Sequence, residues 1–279
     1  MTVQVLDRAV MLLRIVARRG PSSLTEISQE AGIPLPTTAR ILNSLADNGV
    51  ICRMEGRKYH LGARLLPLTA GLAPYRKSLA LVHSLVEKLS NLSGEDCGFA
   101  VLQGTEAVVV DWCYGALGPK TIEPYSRKIP LYCAFGKVLI AFQPASWRQR
   151  FLQSAKLKKI AAGTVVSKDI LVAEIENIRH TGMHISMAEN VDGAGSVSVP
   201  VFDRFSRLHG ALFVTGPLER FEGSSVLEHQ AHLFHTALQL RQDLASNKPW
   251  DTRLGSSEPG ARGTTAHHLV VRSINRVTK

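Results

Sequence analysis

Polar and basic side chains recur on one face of a predicted helix near the N-terminus. The other face is an apolar stripe at helical spacing, which consists of Thr38, Ile41, Leu42 and Leu45. The hydroxyl, guanidinium and amide groups opposite this stripe can contact phosphate oxygens and base edges. The pattern therefore predicts a helix that reads DNA, and the candidate contacts are Pro36, Thr37, Thr38, Arg40, Asn43 and Ser44.

A shorter helix and a tight turn precede this segment. The run Ser23-Leu24-Thr25-Glu26 has the spacing of a capping box, so we expect a helix to begin there. Gly32 and Pro34 end it, because glycine suits the left-handed cap position and proline cannot extend the hydrogen-bond ladder. Leu35 is expected to be extended, since Pro36 follows it and suits the first position of a new helix.

A basic hairpin follows the two helices. Residues 50–53 and 58–61 flank a glycine-containing turn, which predicts two strands with Arg57 and Lys58 at the tip. Such a hairpin is typical of a wing whose tip follows the DNA backbone or the minor groove. A plain helical hairpin with a solvated polar face is the alternative for the helices alone, and the basic hairpin favours DNA binding.

Length and charge indicate two folded parts and a tail. A chain of 279 residues with 45% hydrophobic side chains is long enough for two cores. The formal charge is +10, and residues 1–64 hold nine Lys and Arg against five Asp and Glu, which suits a polyanionic partner. The predicted organisation is a winged helix-turn-helix domain over 1–64, a linker over 65–75, a second domain over 76–246 and a disordered basic tail over 247–279.

The second domain mixes strand and helix periodicity. Strands rich in β-branched and aromatic residues are predicted near 97–102, 107–114, 120–125, 183–189, 196–202 and 210–215. Helices are predicted near 76–92, 168–180 and 224–245, with one that follows the extended segment at 130–137 and runs through residue 140, and a further one after residue 144. The expected fold class is α+β with an antiparallel sheet.

Cysteine spacing and motif searches argue against several other classes. Four cysteines are spread singly, so neither a disulfide framework nor a structural zinc site is predicted, and buried thiols are expected at Cys52, Cys97, Cys113 and Cys133. The G-x-S-x-G, H-E-x-x-H and P-loop motifs are missing, so we predict no enzyme, no catalytic residues, no cofactor and no metal. An apolar run of about 20 residues and a secretory leader are also missing, which predicts a cytoplasmic protein without a membrane partner.

Short motifs along the chain resemble those of the IclR family of transcriptional regulators. In the N-terminal part they are Val5-Leu6-Asp7-Arg8-Ala9, Leu24-Thr25-Glu26-Ile27, Gly32-Ile33-Pro34 and Tyr59-His60-Leu61-Gly62. Further on they are Pro130-Leu131-Tyr132, Gly136-Lys137, Pro200-Val201-Phe202-Asp203 and Gly216-Pro217. The resemblance runs from Val5 to Arg241. It implies a GAF-like effector-binding domain after the winged helix-turn-helix.

The resemblance also implies partners. Family members form dimers or tetramers, bind double-stranded DNA at pseudo-palindromic operators and respond to a small-molecule effector. A homodimer or homotetramer is therefore expected here, because two-fold protein symmetry matches operator symmetry. The first predicted helix, whose apolar residues repeat from Leu6 to Ala17, is the candidate interface.

Candidate effector contacts follow from the same resemblance. They are Tyr132, Cys133, Phe135, Ser186, Ser196, Ser198, Phe213 and Thr215. Alternation along a strand sends residues i and i+2 to one face, so the last four form two pairs that each face one way. Many family members carry Gly-x-Arg-Cys where this chain has Gly193-Ala194-Gly195-Ser196, and an acidic pair where it has Ser186-Met187.

These departures change the expected ligand. Without the arginine, a carboxylate would have to be held by backbone amides and hydroxyls rather than by a bidentate guanidinium. An apolar aromatic acid or its neutral derivative is therefore expected rather than a small keto acid. Three alternatives stay open: a core role for Phe135 and Phe213, a DNA-binding scaffold whose second domain binds no ligand, and a small-molecule-processing enzyme.

Overall fold

The computed structural model describes residues 3–70, 76–117, 129–203 and 205–244. The chain divides into two compact units, Met1–Ala73 and Pro74–Lys279. The strand predicted near 120–125 and the tail predicted over 247–279 lie outside the described residues. Among the helices in the described ranges, none combines the length and the apolar character that a membrane span needs.

The N-terminal unit combines helices with a small sheet. Its helices are α1 (Gln4–Arg19), α2 (Leu24–Ala31), α3 (Leu35–Asp47) and α4 (Leu65–Leu68), and its strands are β1 (Ser22–Ser23), β2 (Ile51–Arg53) and β3 (Lys58–Leu61). The strands pair antiparallel in the order β1-β3-β2. Strand β1 was not predicted, and it pairs Ser22 with Tyr59 and Ser23 with Lys58. Leu12, Ile27, Leu42 and Tyr59 are central members of the core.

Local signals set the ends of α2 and α3. The Ser23 hydroxyl accepts a hydrogen bond from the Glu26 amide at 3.3 Å, and the Glu26 carboxylate accepts one from the Ser23 amide at 2.7 Å, which is the predicted capping box. Gly32 ends α2 with a left-handed φ of 61°. Helix α3 begins at Leu35 and not at Pro36, because the extended N-cap position is taken by Pro34.

The C-terminal unit is α+β, as predicted. In chain order its elements are α5 (Arg76–Ser93), β4 (Asp96–Gln103), β5 (Glu106–Cys113), α6 (Phe135–Ala141), α7 (Ala145–Ser154), α8 (Lys168–Thr181), β6 (His184–Met187), β7 (Ala194–Phe202), β8 (Leu208–Pro217) and α9 (Ser224–Asp243). The five strands form one antiparallel sheet in the order β5-β4-β8-β7-β6. Strand β5 therefore lies at one edge and β6 at the other.

Both faces of this sheet are covered. Alternation sends Val197, Leu212 and Val214 to the face on which α5 and α9 pack. Ala211 and Phe213 point to the opposite face, toward α6, which packs in turn on α8. The central strands β7 and β8 are consequently buried along nearly their whole length.

Candidate DNA-binding surface and effector site

Helix α3 presents most of the predicted DNA contacts to solvent. Pro36, Arg40, Asn43 and Ser44 are exposed, and Thr37 is half-buried. Thr38 is an exception, because its side chain is fully buried and its hydroxyl donates to the Ile33 carbonyl oxygen at 3.2 Å. The prediction that Thr38 contacts DNA is therefore wrong. Its place in the apolar stripe decides its orientation, and its hydroxyl is satisfied by the preceding turn.

The wing tip projects two basic side chains. Gly56 and Arg57 both have left-handed backbone conformations, with φ of 78° and 58°. This conformation turns the chain between β2 and β3 within four residues. Arg57 and Lys58 are exposed as a result.

Arg53 connects the wing to α3, which the sequence did not reveal. Its guanidinium donates to the Tyr59 hydroxyl at 2.6 Å and to the Asn43 side-chain oxygen at 3.4 Å, and it lies 5.2 Å from the centre of the Tyr59 ring. Arg53 and Tyr59 are direct cross-strand partners. The hairpin register could have paired these two residues, but the contact with Asn43 depends on how α3 packs beside the wing.

In the C-terminal unit, three predicted hydroxyl residues form one row across the sheet. Ser196 on β7 lies opposite Ser186 on β6 and opposite Thr215 on β8. All three are buried. The Thr215 hydroxyl donates to the Gly195 carbonyl oxygen at 2.9 Å, so it already has a backbone acceptor. The side chains of these three residues therefore lie on one face of the sheet, the face toward α6, as strand alternation predicts.

A neighbouring row carries Ser198 and Phe213, which are also cross-strand partners. The Phe135 ring stacks on Phe213 with 4.3 Å between centroids, and Trp112 lies 5.4 Å from Phe213 on another side. Gly98 makes room for this arrangement, because a Cβ at that position would come within 2.5 Å of the Phe213 ring. Both rings are buried on the α6 side of the sheet, and Trp112, which was not among the predicted residues, joins them there.

Two other predicted residues have polar partners in the backbone. The Tyr132 hydroxyl exchanges hydrogen bonds with the Lys158 backbone at 3.2 and 3.3 Å. The Cys133 thiol is fully buried and donates to the Glu189 carbonyl oxygen at 3.6 Å. Burial and the Glu189 carboxylate raise the pKa of this thiol to about 12, so it stays protonated at neutral pH.

A buried ionic cluster lies beside the hydroxyl row. The Lys137 ammonium, fully buried on α6, contacts the Glu189 carboxylate at 2.9 Å and the Glu174 carboxylate at 2.6 Å. The His184 Nε2 atom lies 2.9 Å from the same Glu189 oxygen, and the Ala134 amide donates to the other Glu189 oxygen at 2.8 Å. Burial alone would raise the pKa of the Glu189 carboxyl, but His184 and Lys137 hold that pKa below its ordinary value.

A surface groove of about 580 Å³ lies elsewhere, between α7 and α8. Its lining includes Arg148, Leu152, Lys168 and Glu176. None of the eight predicted effector residues contributes to it. The groove and the predicted effector site are therefore separate features of the C-terminal unit.

Comparison with known proteins identifies the family. The model of the IclR helix-turn-helix domain matches residues 5–53, and that of the bacterial transcriptional regulator IclR C-terminal domain matches residues 77–242. The chain belongs to the IclR family of bacterial transcriptional regulators. It is accordingly a DNA-binding transcriptional regulator whose C-terminal domain is of the effector-binding type.

Individual relatives agree with this assignment. The chain is 32% identical to "Probable transcriptional regulator SauR" of Cupriavidus necator over 217 residues, which cover 76% of this chain and 86% of SauR. The crystal structure of IclR from Thermotoga maritima has the same fold, with a TM-score of 0.68 and 23% identity over 87% of this chain and 99% of that one. An IclR homologue from Microbacterium hydrocarbonoxydans, solved with 4-hydroxybenzoate, gives a TM-score of 0.61 at 20% identity over 86% and 98% of the two chains.

The buried ionic cluster is the main feature of the α6 side of the sheet that the sequence did not reveal. The acidic pair of the family is replaced by Ser186-Met187 in this chain, and the carboxylate that contacts Lys137 comes from Glu189 in the turn after β6. The sequence marks Lys137 only through the Gly136-Lys137 motif. A lysine and a glutamate separated by 52 positions give no local signal of pairing, and only the fold brings them together.

We expect Glu189→Gln to lower the free energy of unfolding by about 3 kcal/mol at pH 7. The substitution leaves the buried Lys137 ammonium with Glu174 as its remaining counter-charge in the cluster. Glu174→Gln removes a carboxylate that is 32% exposed and is expected to cost less. Urea denaturation followed by circular dichroism measures both variants.

The pH dependence of this effect has a defined sign. Because the pKa of folded Glu189 lies below the ordinary value of 4.5, its contribution is present above that value and is lost as the pH falls through the folded-state pKa. The gap between wild type and Glu189→Gln should therefore narrow in acid. Equal stabilities at pH 7, or a gap that acid leaves unchanged, would contradict this role.

Proposed function

We propose that this regulator binds a pseudo-palindromic operator as a dimer or a dimer of dimers. We further propose that an aromatic or similarly apolar organic acid, or its neutral derivative, binds between the sheet and α6 and changes operator occupancy. The observation that carries the effector proposal is the aligned row Ser186, Ser196 and Thr215 beside the rings of Phe213 and Phe135. Pockets for small ligands generally combine apolar walls with a few placed polar groups.

On the DNA side, we propose that α3 enters the major groove. Arg40 is an exposed side chain of α3 that can donate two hydrogen bonds to a guanine edge. The other proposed contacts on this helix are Pro36, Thr37, Asn43 and Ser44. Arg57 and Lys58 would contact phosphates at the wing. Arg53 is a positioning residue in this proposal, because its contacts with Tyr59 and Asn43 hold the wing against α3.

The charges near the hydroxyl row indicate which chemical group of the ligand would face them. Two carboxylates, Glu174 and Glu189, share the single Lys137 ammonium, so this cluster offers no excess positive charge to a ligand carboxylate. We therefore favour an aromatic ligand that presents a hydroxyl or another neutral group to the cluster. The Microbacterium homologue was solved with 4-hydroxybenzoate, which is a flat aromatic acid with a phenolic hydroxyl.

The proposed dimer contact is α1. Leu6 and Val10 on this helix, and Val3 just before it, are exposed at 62%, 47% and 59%, and the three positions recur at the spacing of one helical face. An apolar stripe of this kind is stabilised when a second copy covers it. Because one recognition helix spans only a half-site, a dimer is also what a palindromic operator requires. A bacterial operator lies in the cytoplasm, where we expect the protein to act.

We expect Arg40→Ala to weaken operator binding by about 1–3 kcal/mol and to relax the preference at one base position. Lys58→Ala should instead weaken binding to all sequences alike and reduce the salt slope by about one unit, since it removes one phosphate contact. Gel-shift titrations on an operator library at two salt concentrations separate the two effects. Arg150→Ala, an exposed arginine on α7, is the control, and a variant of Arg40 or Lys58 that binds like this control would refute the assignment.

We expect calorimetry to detect binding of 4-hydroxybenzoate or of its methyl ester to the protein. Ser196→Val and Thr215→Val should each weaken this binding. Thr215→Val removes a hydroxyl from the row at nearly constant volume, and Ser196→Val removes a hydroxyl and adds a methyl group at a buried position. Ser224→Val, at the exposed start of α9, should bind like the wild type. Tight binding of pyruvate, or binding of the aromatic probes that neither substitution changes, would show that the site or its chemistry is misplaced.

We expect light scattering to give a dimer or tetramer at micromolar concentration, and Leu6→Glu to lower the mass by half or more. A charge in the middle of the α1 stripe would have to be buried against the second copy. Leu66→Glu alters an equally exposed leucine on α4 and should leave the mass unchanged. A monomeric wild type that binds DNA as a monomer would overturn the proposal.

A further inference from the structure

A histidine, a carboxylate and a thiol meet at the edge of the large sheet. His83 lies on α5, and Asp111 and Cys113 lie on the edge strand β5. The His83 Nδ1 atom is 3.0 Å from the Asp111 Oδ1 atom and 3.9 Å from the Cys113 sulfur. The three donor atoms all lie within 4.8 Å of one another.

The fold brings these donors together from positions about thirty residues apart. Asp111 and Cys113 are two residues apart on β5, so both point to the face on which α5 packs. His83 is on the part of α5 that crosses this edge, and its side chain is 57% exposed. The proposed effector residues point to the opposite face, toward α6. The cluster is therefore a separate feature of the C-terminal unit.

We propose that His83, Asp111 and Cys113 form a binding site for a zinc-type divalent cation. In a tetrahedral zinc site, the metal–ligand distances of about 2.0–2.3 Å place nitrogen, oxygen and sulfur ligands about 3.4–3.6 Å from one another. The two separations from His83, 3.0 Å to Asp111 and 3.9 Å to Cys113, lie within a few tenths of an ångström of these values, and the third pair of donors lies within 4.8 Å. Water or a fourth side chain would complete the tetrahedron.

The surroundings of the cluster also suit a cation. The Asp111 Oδ2 atom is buried and accepts no hydrogen bond from the residues that the structure describes, so it is available as an acceptor. Glu87 follows His83 by one helical turn and adds negative charge near Asp111 and Cys113. A bound cation would replace the proton of the Cys113 thiol, because a thiol binds a metal as the thiolate.

The donor set selects the class of metal. A thiolate with an imidazole and a carboxylate suits zinc or cobalt, whereas magnesium and calcium prefer oxygen ligands alone. A cation there would join α5, the first helix of the C-terminal unit, to the edge strand β5. Because it binds the folded arrangement, it would raise the stability of the protein.

The test uses the full chain after chelator treatment and dialysis. Zinc added in calorimetry should bind with a stoichiometry of one per chain and raise Tm. Cobalt should produce the near-ultraviolet charge-transfer band of a cobalt–thiolate bond. Cys113→Ser should abolish this band, and both Cys113→Ser and His83→Ala should weaken zinc binding about tenfold or more, since loss of an outer partner alone costs about that much.

Two controls distinguish this site from other ligands in the chain. Cys52→Ser removes a half-buried thiol in the N-terminal unit and should leave the cobalt band intact. Replacing both His267 and His268 with alanine removes the adjacent histidines of the C-terminal segment and should leave zinc affinity unchanged. Zinc binding that persists in Cys113→Ser and His83→Ala, or that disappears in the double histidine variant, would overturn the proposal. A wild type without zinc affinity would do the same.

Discussion

The covering of the five-stranded sheet on both faces is the constraint on which the C-terminal unit depends. With helices on each side, every residue of the central strands must suit a buried environment whichever way it points. One face is filled by apolar side chains, which include Val197, Leu212 and the Phe99 ring. The other face holds serines, a threonine and aromatic rings, and each buried polar group there needs a partner.

The buried ions on the α6 side follow from the same constraint. A lysine that water cannot reach is tolerated only with counter-charges at contact distance, and Glu189 and Glu174 supply them. Glu189 also accepts from the Ala134 amide at the start of α6 and lies against His184 at the start of β6. One carboxylate thus links the helix, the edge strand and the segment before the helix. A ligand on this face would meet a surface whose charges are already paired.

In the N-terminal unit, the sequence by itself determined nearly every element. The capping box, the glycine stop and the apolar stripe of α3 each span eight or fewer residues, so they can be recognised without the fold. The basic hairpin could be predicted from the sequence for the same reason. In the C-terminal unit, strand alternation correctly predicted that Ser196 and Ser198, and Phe213 and Thr215, would face one way. The family itself followed from short motifs spread along the chain.

Only the tertiary structure decided which distant side chains meet. The bond from Arg53 to Asn43 and the pairing of Lys137 with Glu189 depend on how whole elements pack. The same holds for His83 and Cys113, which lie 30 positions apart in the chain. Periodicity tells which face of an element a residue occupies, but it carries no information about what lies opposite. That information resides in long-range contacts, because chain separation and spatial distance are independent once the sheet has formed.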